Sequence, residues 1–510
     1  MLATIYSGGV QGIDGYVVEV EGTVSSGLPT FEIVGLPDTA VKESKERVRA
    51  AVEILGLEFP LRRVTINLAP GNIKKEGPGF DLPIAISILT ASEQLKAQQL
   101  SDYLFLGELS LGGELRPISG VLPMVLAAAR SGIHKIILPR ANAREAAILQ
   151  DVEVYGANTL HDVICHLSGQ FPMQPETLNL QEVFRQDNLY QYDFSEVKGQ
   201  LEVKRALEIA AAGGHNSIMI GTPGSGKTML AARVPSILPD MTLEEALDVT
   251  KIHSIAGLLP VDTALVTRRP FRAPHHTVST VSLVGGGRFP RPGEVSLAHH
   301  GVLFLDELPE FRKDALEILR QPLEDRQVTI SRVSASITYP CDFMLVAAMN
   351  PCHCGYFGDP SRRCTCSETQ IQRYRGKISG PLMDRVDLHI NVMPVEYAQL
   401  ADNGAAESSA SIRARVNHAR EVQRKRYQSI GVACNANLTT SQIKTFCPLD
   451  DAASNLLEQA FHTLGLSARA YTRIIKVART IADLEDAAEI GVSHIAEAIQ
   501  YRSLDRKRTY

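Results

Sequence analysis

The sequence lacks an apolar run long enough to cross a membrane. Its longest stretches of that kind, Leu82–Leu89 and Val121–Ala129, fall well short of the roughly 20 residues that a spanning helix needs. The opening segment MLATIYSGGVQGIDG also lacks the basic and continuous apolar regions of a secretion signal. These absences predict a cytoplasmic protein with no membrane partner.

The chain also lacks an excess of charge of one sign. Its 52 Lys and Arg residues against 57 Asp and Glu residues give a net charge of -5, so no whole-molecule field draws it to nucleic acid. Any contact with DNA must therefore come from local basic patches. Eight cysteines in a long chain without an export signal do not predict a disulfide framework.

The remaining composition predicts several folded parts, because 510 residues of which 44% are apolar can bury more than one core. Residues 1–168 alternate strand-like and helical segments, and residues 169–192 are polar and aperiodic like a linker. Residues 193–400 contain three apolar runs typical of buried parallel strands, SIMIG, VLFLDE and FMLVAAMN. Residues 401–510 begin with the small-residue stretch ADNGAAESSAS, after which the pattern predicts helices. We therefore expect an α/β protein with a C-terminal helical lid.

A phosphate-binding loop, or P-loop, separates the predicted strand SIMI from the predicted helix MLAARV. It meets the G-x-x-x-x-G-K-[ST] pattern in the strand-to-helix context that this pattern requires. Its residues are Gly221, Thr222, Pro223, Gly224, Ser225, Gly226, Lys227 and Thr228. Glycines let backbone N–H groups surround phosphates, Lys227 would reach the β- and γ-phosphates of ATP, and Thr228 would ligate Mg²⁺. A chance glycine turn is the alternative.

Acidic residues follow the apolar run VLFL. Asp306 would position the magnesium ion, and Glu307 would polarise the attacking water. The alternative is an acid pair that caps the following helix, PEFRKDALEILRQ. The next apolar run ends at Asn350, whose amide could orient the same water or serve a turn.

Four cysteines form a C-x-C-x₉-C-x-C pattern, namely Cys352, Cys354, Cys364 and Cys366. Four thiolates could build a tetrahedral zinc site, and the intervening loop GYFGDPSRR would fold around it. Because four cysteines leave no open coordination position, such a site predicts a structural role. C-x-C pairs are an uncommon ligand geometry, so free thiols are the alternative.

Arginines are concentrated in Gly- and Pro-rich segments between the nucleotide motifs, Arg268–His276 and Gly285–Pro292, and in the strand-like segment that follows. The candidate DNA contacts are Arg288, Arg291, Arg326 and Arg332. Such segments suit loops that grip a phosphodiester strand. A solvated or subunit-facing charge run is the alternative, and the first segment could instead contact nucleotide. Six positive charges on the helix of residues 413–426 most simply form a solvated face.

Three strings place these motifs in a known context. They are VKGQLEVKRALEIAAAGGHN, RPFRAPHHTVSTVSLVGGGRFPRPGEVSLAHHGVLFLDELPEF and LSARAYTRIIKVARTIADLE. They resemble the magnesium-chelatase-like branch of the AAA+ ATPases, and the chain from about Tyr6 to Arg502 resembles the ComM/YifB family of competence proteins. The resemblance implies a ring in which one subunit completes its neighbour's ATP site.

The resemblance also implies residue roles. Asn350 matches sensor 1, Arg385 in GPLMDRVD matches the arginine finger offered to the neighbouring subunit, and Arg469 matches sensor 2. Arg473, one helical turn further, is the fallback for sensor 2. A guanidinium beside the transferring phosphoryl group stabilises its charge. For Arg385 the alternative is an ion pair with one of the two aspartates beside it.

The N-terminal strings KKEGPGFDLPIAISIL and FLGELSLGGELRPISGVLPMVLAAARSGIHKIILPRAN resemble the proteolytic domain of Lon. Serine–lysine proteolysis needs a nucleophile and a lysine that this chain does not have at the matching positions, where Gly79 and Leu122 stand. Ser87 lies within an apolar helical run and is predicted to be core. We therefore expect a scaffold, an oligomerisation ring or a DNA-guiding collar.

The resemblance implies an ATP-dependent hexameric DNA motor. The expected activity is helicase or branch migration on single-stranded and branched DNA, during natural transformation and homologous recombination. The expected ligands are ATP, Mg²⁺ and a structural Zn²⁺. A magnesium-chelatase-type subunit and a protein-remodelling ATPase are the alternatives, and the missing dyad speaks against a Lon-type protease.

Overall fold

The computed structural model describes residues 2–97, 99–186, 190–261, 263–287, 290–331, 336–359, 362–395, 406–502 and 504. Contacts divide the chain into an N-terminal unit, Met1–Asp187 with Leu243–Thr267, and a C-terminal unit, Asn188–Thr242 with Arg268–Tyr510. This division differs from the sequence-based boundaries in three respects. The segment Leu243–Thr267 leaves the predicted core, the predicted linker contains the helix Leu180–Gln186, and the predicted core and lid form one unit.

The N-terminal unit is built on a mixed seven-stranded sheet. Its strands lie in the order Thr30–Val34, Arg63–Ala69, Asp14–Ser25, Leu2–Gln11, Tyr103–Phe105, Lys135–Pro139 and Glu153–Ala157. A separate pair joins Glu108–Leu109 and Leu115–Arg116. The helices are Thr39–Ile54, Asp81–Ala91, Val121–Arg130, Arg140–Ala146, Leu160–Leu167, Leu180–Gln186 and Leu243–Ala256.

The helix Asp81–Ala91 is a core element of this unit, because ten of its eleven residues are buried. Ser87 is fully buried and donates a hydrogen bond to the carbonyl oxygen of Ile84, at 2.9 Å. A Cβ atom added to Gly22 in the neighbouring strand would lie 2.8 Å from the Ser87 hydroxyl oxygen. Ser87 is therefore packed inside the unit, as the sequence predicts, and does not face a substrate.

The segment Leu243–Thr267 is held in the N-terminal unit by a buried polar cluster. The Gly120 N–H donates to the Ser254 carbonyl oxygen at 3.1 Å and to the Ser254 hydroxyl at 3.0 Å. Ser254 donates in turn to Glu145 at 2.5 Å, and the same carboxyl oxygen accepts the Leu122 N–H at 2.9 Å. Each of these buried polar groups thus has a partner, which is what makes their burial tolerable.

The C-terminal unit contains a parallel five-stranded sheet. Its strands lie in the order Phe271–Arg272, Val302–Leu305, Met344–Met349, Ser217–Gly221 and Leu388–Val392. Every residue of the three middle strands is buried, which confirms the prediction of parallel strands covered on both faces. Two antiparallel pairs lie outside this sheet: Gly285–Gly286 with Arg291–Pro292, and Gln327–Ser331 with Ser336–Pro340.

Helices pack around this sheet and continue to Gln500. They are Leu201–Gly213, Lys227–Arg233, Thr280–Val284, Glu294–Leu297, Lys313–Ile318, Arg320–Asp325, Glu368–Arg375, Gly380–Met383, Ser409–Tyr427, Thr440–Phe446, Asp451–Leu464, Ala468–Leu484 and Val492–Gln500. One apolar cluster contains residues of both the sheet and the last helices, such as Val346 and Ile474. In the part of the chain described above, none of the helices has the length and apolar character needed to span a bilayer.

We expect the stability of the N-terminal unit to depend on pH through Glu145. Burial raises the pKa of this carboxyl above its usual 4.5, and its hydrogen bonds oppose that shift without cancelling it. Because the folded-state pKa is raised, the contribution of Glu145 to the free energy of unfolding is complete below pH 4.5. It is lost as the pH rises through the folded-state pKa. Hydrogen exchange of the helix Val121–Arg130 should therefore become faster in the wild type than in Glu145→Gln as the pH rises, after correction for intrinsic exchange. A pH-independent ratio would contradict the raised pKa.

Candidate nucleotide-binding site

The P-loop follows the strand Ser217–Gly221 and leads into the helix Lys227–Arg233. Gly224 and Gly226 have left-handed φ values of 79° and 89°, which cost glycine little. A Cβ atom on Gly221 would lie 2.3 Å from the Val392 carbonyl oxygen in the neighbouring strand. The loop therefore needs glycine for its backbone shape at two positions and for space at a third.

Lys227 is buried at the base of this loop. Its Nζ lies 2.8 Å from the Gly221 carbonyl oxygen, 2.9 Å from the Thr222 carbonyl oxygen and 3.2 Å from Asn350 Oδ1. Burial lowers the pKa of Lys227, although the carboxylates of Asp306 and Glu307 raise it in part. An ammonium surrounded by neutral oxygens gains Coulomb energy when a phosphate comes next to it.

Asp306 and Thr228 meet across the carboxyl edge of the sheet. The Thr228 hydroxyl donates to Asp306 Oδ2 at 2.7 Å, and Asp306 Oδ1 accepts the Glu307 N–H at 2.9 Å. They meet because Val302–Leu305, Met344–Met349 and the strand before the P-loop are parallel neighbours. A hydroxyl and a carboxylate in contact are oxygen ligands of the kind that Mg²⁺ prefers.

The acid pair does not cap the helix that follows it. Glu307 has a left-handed φ of 52° and precedes the turn Leu308–Glu310 without a side-chain capping bond. The predicted helix is broken into that turn and two short helices. The Glu307 side chain is 55% exposed and so remains accessible to water.

His276 lies beside Glu307, and its Nδ1 is 3.5 Å from Glu307 Oε2. Its ring centroid is 4.0 Å from that of His275. The sequence assigned the segment Arg268–His276 to DNA, with nucleotide as an alternative. The structure places the histidine end of this segment at the carboxyl edge of the sheet. A sequence signal for this position would be its place shortly after the strand Phe271–Arg272. That strand has only two residues and cannot be recognised from the sequence without the fold.

Two arginines of the same segment are used inside the unit. Arg272 forms a bidentate ion pair with Glu294, at 2.6 and 2.8 Å. Arg269 donates to the carbonyl oxygens of Pro239 and His300, at 2.5 and 2.7 Å. These contacts within the chain favour a structural use of the two arginines, and a role of the segment in gripping DNA stays a prediction.

Of the four candidate DNA contacts, two can be placed. Arg291 is exposed in the short pair with Gly286. Arg326 begins the hairpin Gln327–Pro340 with a left-handed φ of 54°, and its Nε is 3.6 Å from Asp342 Oδ1. Arg288 and Arg332 lie outside the described residues.

Arg385 follows the short helix Gly380–Met383. It pairs with Glu324 and donates to the Pro381 carbonyl oxygen at 2.6 Å. The sequence offered Asp384 or Asp387 as the alternative partner, and neither is the partner found. The Glu324 side chain is 64% exposed but that of Arg385 is only 13% exposed, so the carboxylate faces solvent while the arginine is mostly covered.

The two candidates for sensor 2 have different surroundings. Arg469, in the first turn of the helix Ala468–Leu484, is 63% exposed and lies 2.7 Å from Asp384. Arg473 is 16% exposed and lies 2.9 Å from Asp387. Burial would raise the pKa of Asp387, but a hydrogen bond from His215 and the charge of Arg473 bring it below the usual value. Arg473 is therefore engaged in a buried network, whereas Arg469 is accessible.

The positive charges of the helix Ser409–Tyr427 are also largely paired within the unit. Arg426 binds Asp483 at 2.6 and 3.1 Å, and Arg415 binds Glu208 at 2.5 Å. These contacts join the helix to its neighbours. They show that the helix face is only partly solvated.

The four clustered cysteines come together after Asn350. Cys352 Sγ lies 3.4 Å from Cys354 Sγ and 3.7 Å from Cys364 Sγ, and the last two are 3.5 Å apart. All four sulfur atoms, including that of Cys366, lie within 4.8 Å of one another. The sequence pattern thus produces a single cluster of thiols that are not joined as disulfides.

Comparison with known families agrees with this geometry. Residues 193–400 match the family described as magnesium chelatase, subunit ChlI, and residues 406–502 match the C-terminal part of that subunit. Residues 20–142 match a further family described as subunit ChlI of Mg-chelatase. The P-loop, the parallel sheet and these matches define an AAA+ protein of the magnesium-chelatase-like class.

Full-length relatives narrow this class. The chain is 45% identical over 509 residues to competence protein ComM of Haemophilus influenzae, covering 99% of this chain and 98% of that protein. It is 43% identical over 507 residues to the uncharacterized protein YifB of Escherichia coli, with the same coverage. The chain belongs to the ComM/YifB family. Its N-terminal region is also 27% identical over 175 residues to Lon protease of Geobacter metallireducens, covering 32% of this chain and 21% of that protease.

We expect Arg473 and Arg469 to differ in what they contribute to stability. Arg473→Met should lower the free energy of unfolding by about 3 kcal/mol, because Asp387 would keep a buried charge without the opposite charge of Arg473. Arg469→Met should leave the free energy of unfolding nearly unchanged, because its ion pair is exposed. Denaturant titration of both variants measures the difference. Equal destabilisation would contradict the distinction drawn here.

Proposed function

We propose that the C-terminal unit binds and hydrolyses ATP. The observation that carries this proposal is the contact of Thr228 with Asp306 beside the buried Lys227. Ser225 Oγ supports it, because this buried hydroxyl has no hydrogen-bond partner among the residues described, as expected where a phosphate oxygen would bind. The ATP and Mg²⁺ that the family implies therefore fit the side chains present.

Each side chain has a role in this proposal. Lys227 binds the β- and γ-phosphates, and Thr228 and Asp306 hold Mg²⁺, which when bound would neutralise charge on the phosphates. Glu307 accepts a hydrogen bond from the attacking water and takes its proton. His276, whose Nδ1 lies 3.5 Å from Glu307 Oε2, holds the Glu307 carboxylate in place. Asn350, already in contact with Lys227, orients the same water.

We further propose that Arg385 acts on the ATP of a neighbouring subunit in a homo-hexameric ring. Its ion pair with Glu324 supports this role, because the mostly exposed carboxylate is the partner that a phosphate would replace at the otherwise covered guanidinium. Arg469, in its exposed pair with Asp384, is the proposed sensor 2. The buried network of Arg473 favours a structural role for that residue.

DNA is the proposed substrate of the motor. The name of the Haemophilus relative contains the word competence, and this supports a DNA substrate taken up by the cell and a cytoplasmic site of action. The hairpin Gln327–Pro340 supports the proposal, because its first strand exposes Gln327, Thr329 and Ser331 while burying the residues between them. Helicase or branch-migration activity on single-stranded and branched DNA would follow.

A chelatase-type ATPase without a DNA substrate is the second candidate. The matches of three regions to subunit ChlI favour it. It is distinguished by its response to DNA, since such a protein would hydrolyse ATP at a rate indifferent to nucleic acid.

Lys227→Ala should abolish ATP binding, and Glu307→Gln should bind ATP but turn it over at least about 100-fold more slowly, because the proton acceptor is lost. Glu310→Gln is the matched control, since Glu310 is an acid three residues further on that pairs with Lys377.

Forked DNA should raise the wild-type rate of ATP hydrolysis, and DNA binding should weaken steeply with salt. A rate unaffected by single-stranded, forked and four-way DNA would refute the DNA proposal and leave the ATPase proposal standing.

Arg385→Ala should bind ATP normally and lose turnover by at least about 10³-fold. Mixing it with Lys227→Ala chains should restore activity, because some interfaces then combine an intact P-loop with an intact arginine. Arg312→Ala, which removes an exposed arginine paired with Asp314, should not need such rescue. If the mixture stays inactive while mixed rings form, Arg385 does not act between subunits.

A further inference from the structure

The sulfur cluster has the dimensions of a metal site. Zinc bound to four thiolates at about 2.3 Å in a tetrahedron separates the sulfur atoms by about 3.8 Å. The three pairs among Cys352, Cys354 and Cys364 are separated by 3.4 to 3.7 Å. A disulfide would instead require about 2 Å. The arrangement thus approaches the geometry of four ligands around one ion.

Backbone groups also point at the sulfur atoms. The Cys354 N–H donates to Cys366 Sγ and the Cys366 N–H donates to Cys364 Sγ, both at 3.4 Å. Such bonds stabilise thiolates, the form in which cysteine binds metal. Between Pro351 and Ser367, the residues that are described contain no helix or strand. A bound ion would therefore add a constraint that regular secondary structure does not supply to this loop.

The cysteine loop, residues 352–366, packs against the P-loop. Gly355, directly after Cys354, has a left-handed φ of 88°, and a Cβ atom there would lie 2.7 Å from Cγ and Cδ of Pro223. On its other side, Cys352 follows Asn350 by two residues. The cysteine loop is thus continuous with a residue that contacts Lys227 and is packed against a residue of the phosphate-binding turn itself.

We infer that the four cysteines bind one Zn²⁺. The zinc-bound loop from Cys352 to Cys366, or knuckle, then acts as a brace, which means that it holds the P-loop in the shape that receives ATP. The role of the knuckle as a brace rests on the proposed ATPase function, whereas the zinc site does not. The ion would be structural, because four protein ligands leave no position for water or substrate.

Zinc content tests the site directly. The purified full chain should contain about one Zn²⁺, measured by elemental mass spectrometry. The double variant Cys364→Ser, Cys366→Ser should contain almost none, while Cys165→Ser, which changes a buried thiol outside the cluster, should keep the metal. Cobalt substitution should give the intense visible bands of a tetrahedral thiolate site. Eight free thiols without metal, or iron with inorganic sulfide, would overturn the zinc assignment.

Two glycine variants test the brace without touching a ligand. Gly355→Ala should keep zinc but raise the Kd for a fluorescent ATP analogue about tenfold or more, because the added methyl group displaces Pro223. Gly358→Ala is the matched control, since Gly358 also has a left-handed φ, of 83°, but a Cβ there would meet nothing within 4 Å. Equal affinities of the two variants would overturn the brace.

Hydrogen exchange provides a readout that needs no nucleotide. Removal of zinc by a chelator should speed exchange in peptides that cover the P-loop and leave the strand Val302–Leu305 unchanged. Unaltered exchange in the P-loop would overturn the brace even if zinc is bound. If the wild type binds no nucleotide, the proposed ATPase function fails, while the zinc content and the exchange data still decide this inference.

Discussion

A buried lysine ammonium among neutral oxygens is the interaction on which the proposed nucleotide site depends. Lys227 can occupy that position because the parallel sheet brings the ends of three strands to one edge, where Gly221 and Asn350 supply the acceptor oxygens. The same edge aligns Asp306 with Thr228. The positive charge is solvated by the protein only in part, so the site is electrostatically prepared for a phosphate before one binds.

Several arginines of the described residues hold helices to the sheet or to one another. Arg473 with Asp387, Arg426 with Asp483 and Arg415 with Glu208 are contacts between segments far apart in sequence. Together with the common apolar cluster, they make the last helices part of the same unit as the P-loop sheet. A run of basic residues therefore says little about nucleic acid until its partners are known.

Much of the fold was predictable because it depends on patterns within short segments of the sequence. The apolar runs SIMIG, VLFL and MLVAAM are strands because they are short, continuously apolar and followed by turn residues. The P-loop was recognisable because its glycines, lysine and threonine stand at a fixed spacing between a strand and a helix. The position of His276 beside Glu307, the pairing of Arg385 with Glu324 and the attachment of Leu243–Thr267 to the N-terminal unit were not predictable, because each depends on contacts between distant segments.

The sequence by itself determined the class of protein, the order of its strands along the chain and the residues with the chemistry to bind phosphate and metal. Only the tertiary structure decided which charges remain available and which are neutralised within the chain. It also decided that the cysteine loop touches Pro223. The physical reason is that propensity, spacing and backbone strain act over a few residues, whereas burial and charge pairing depend on which segments the fold brings together.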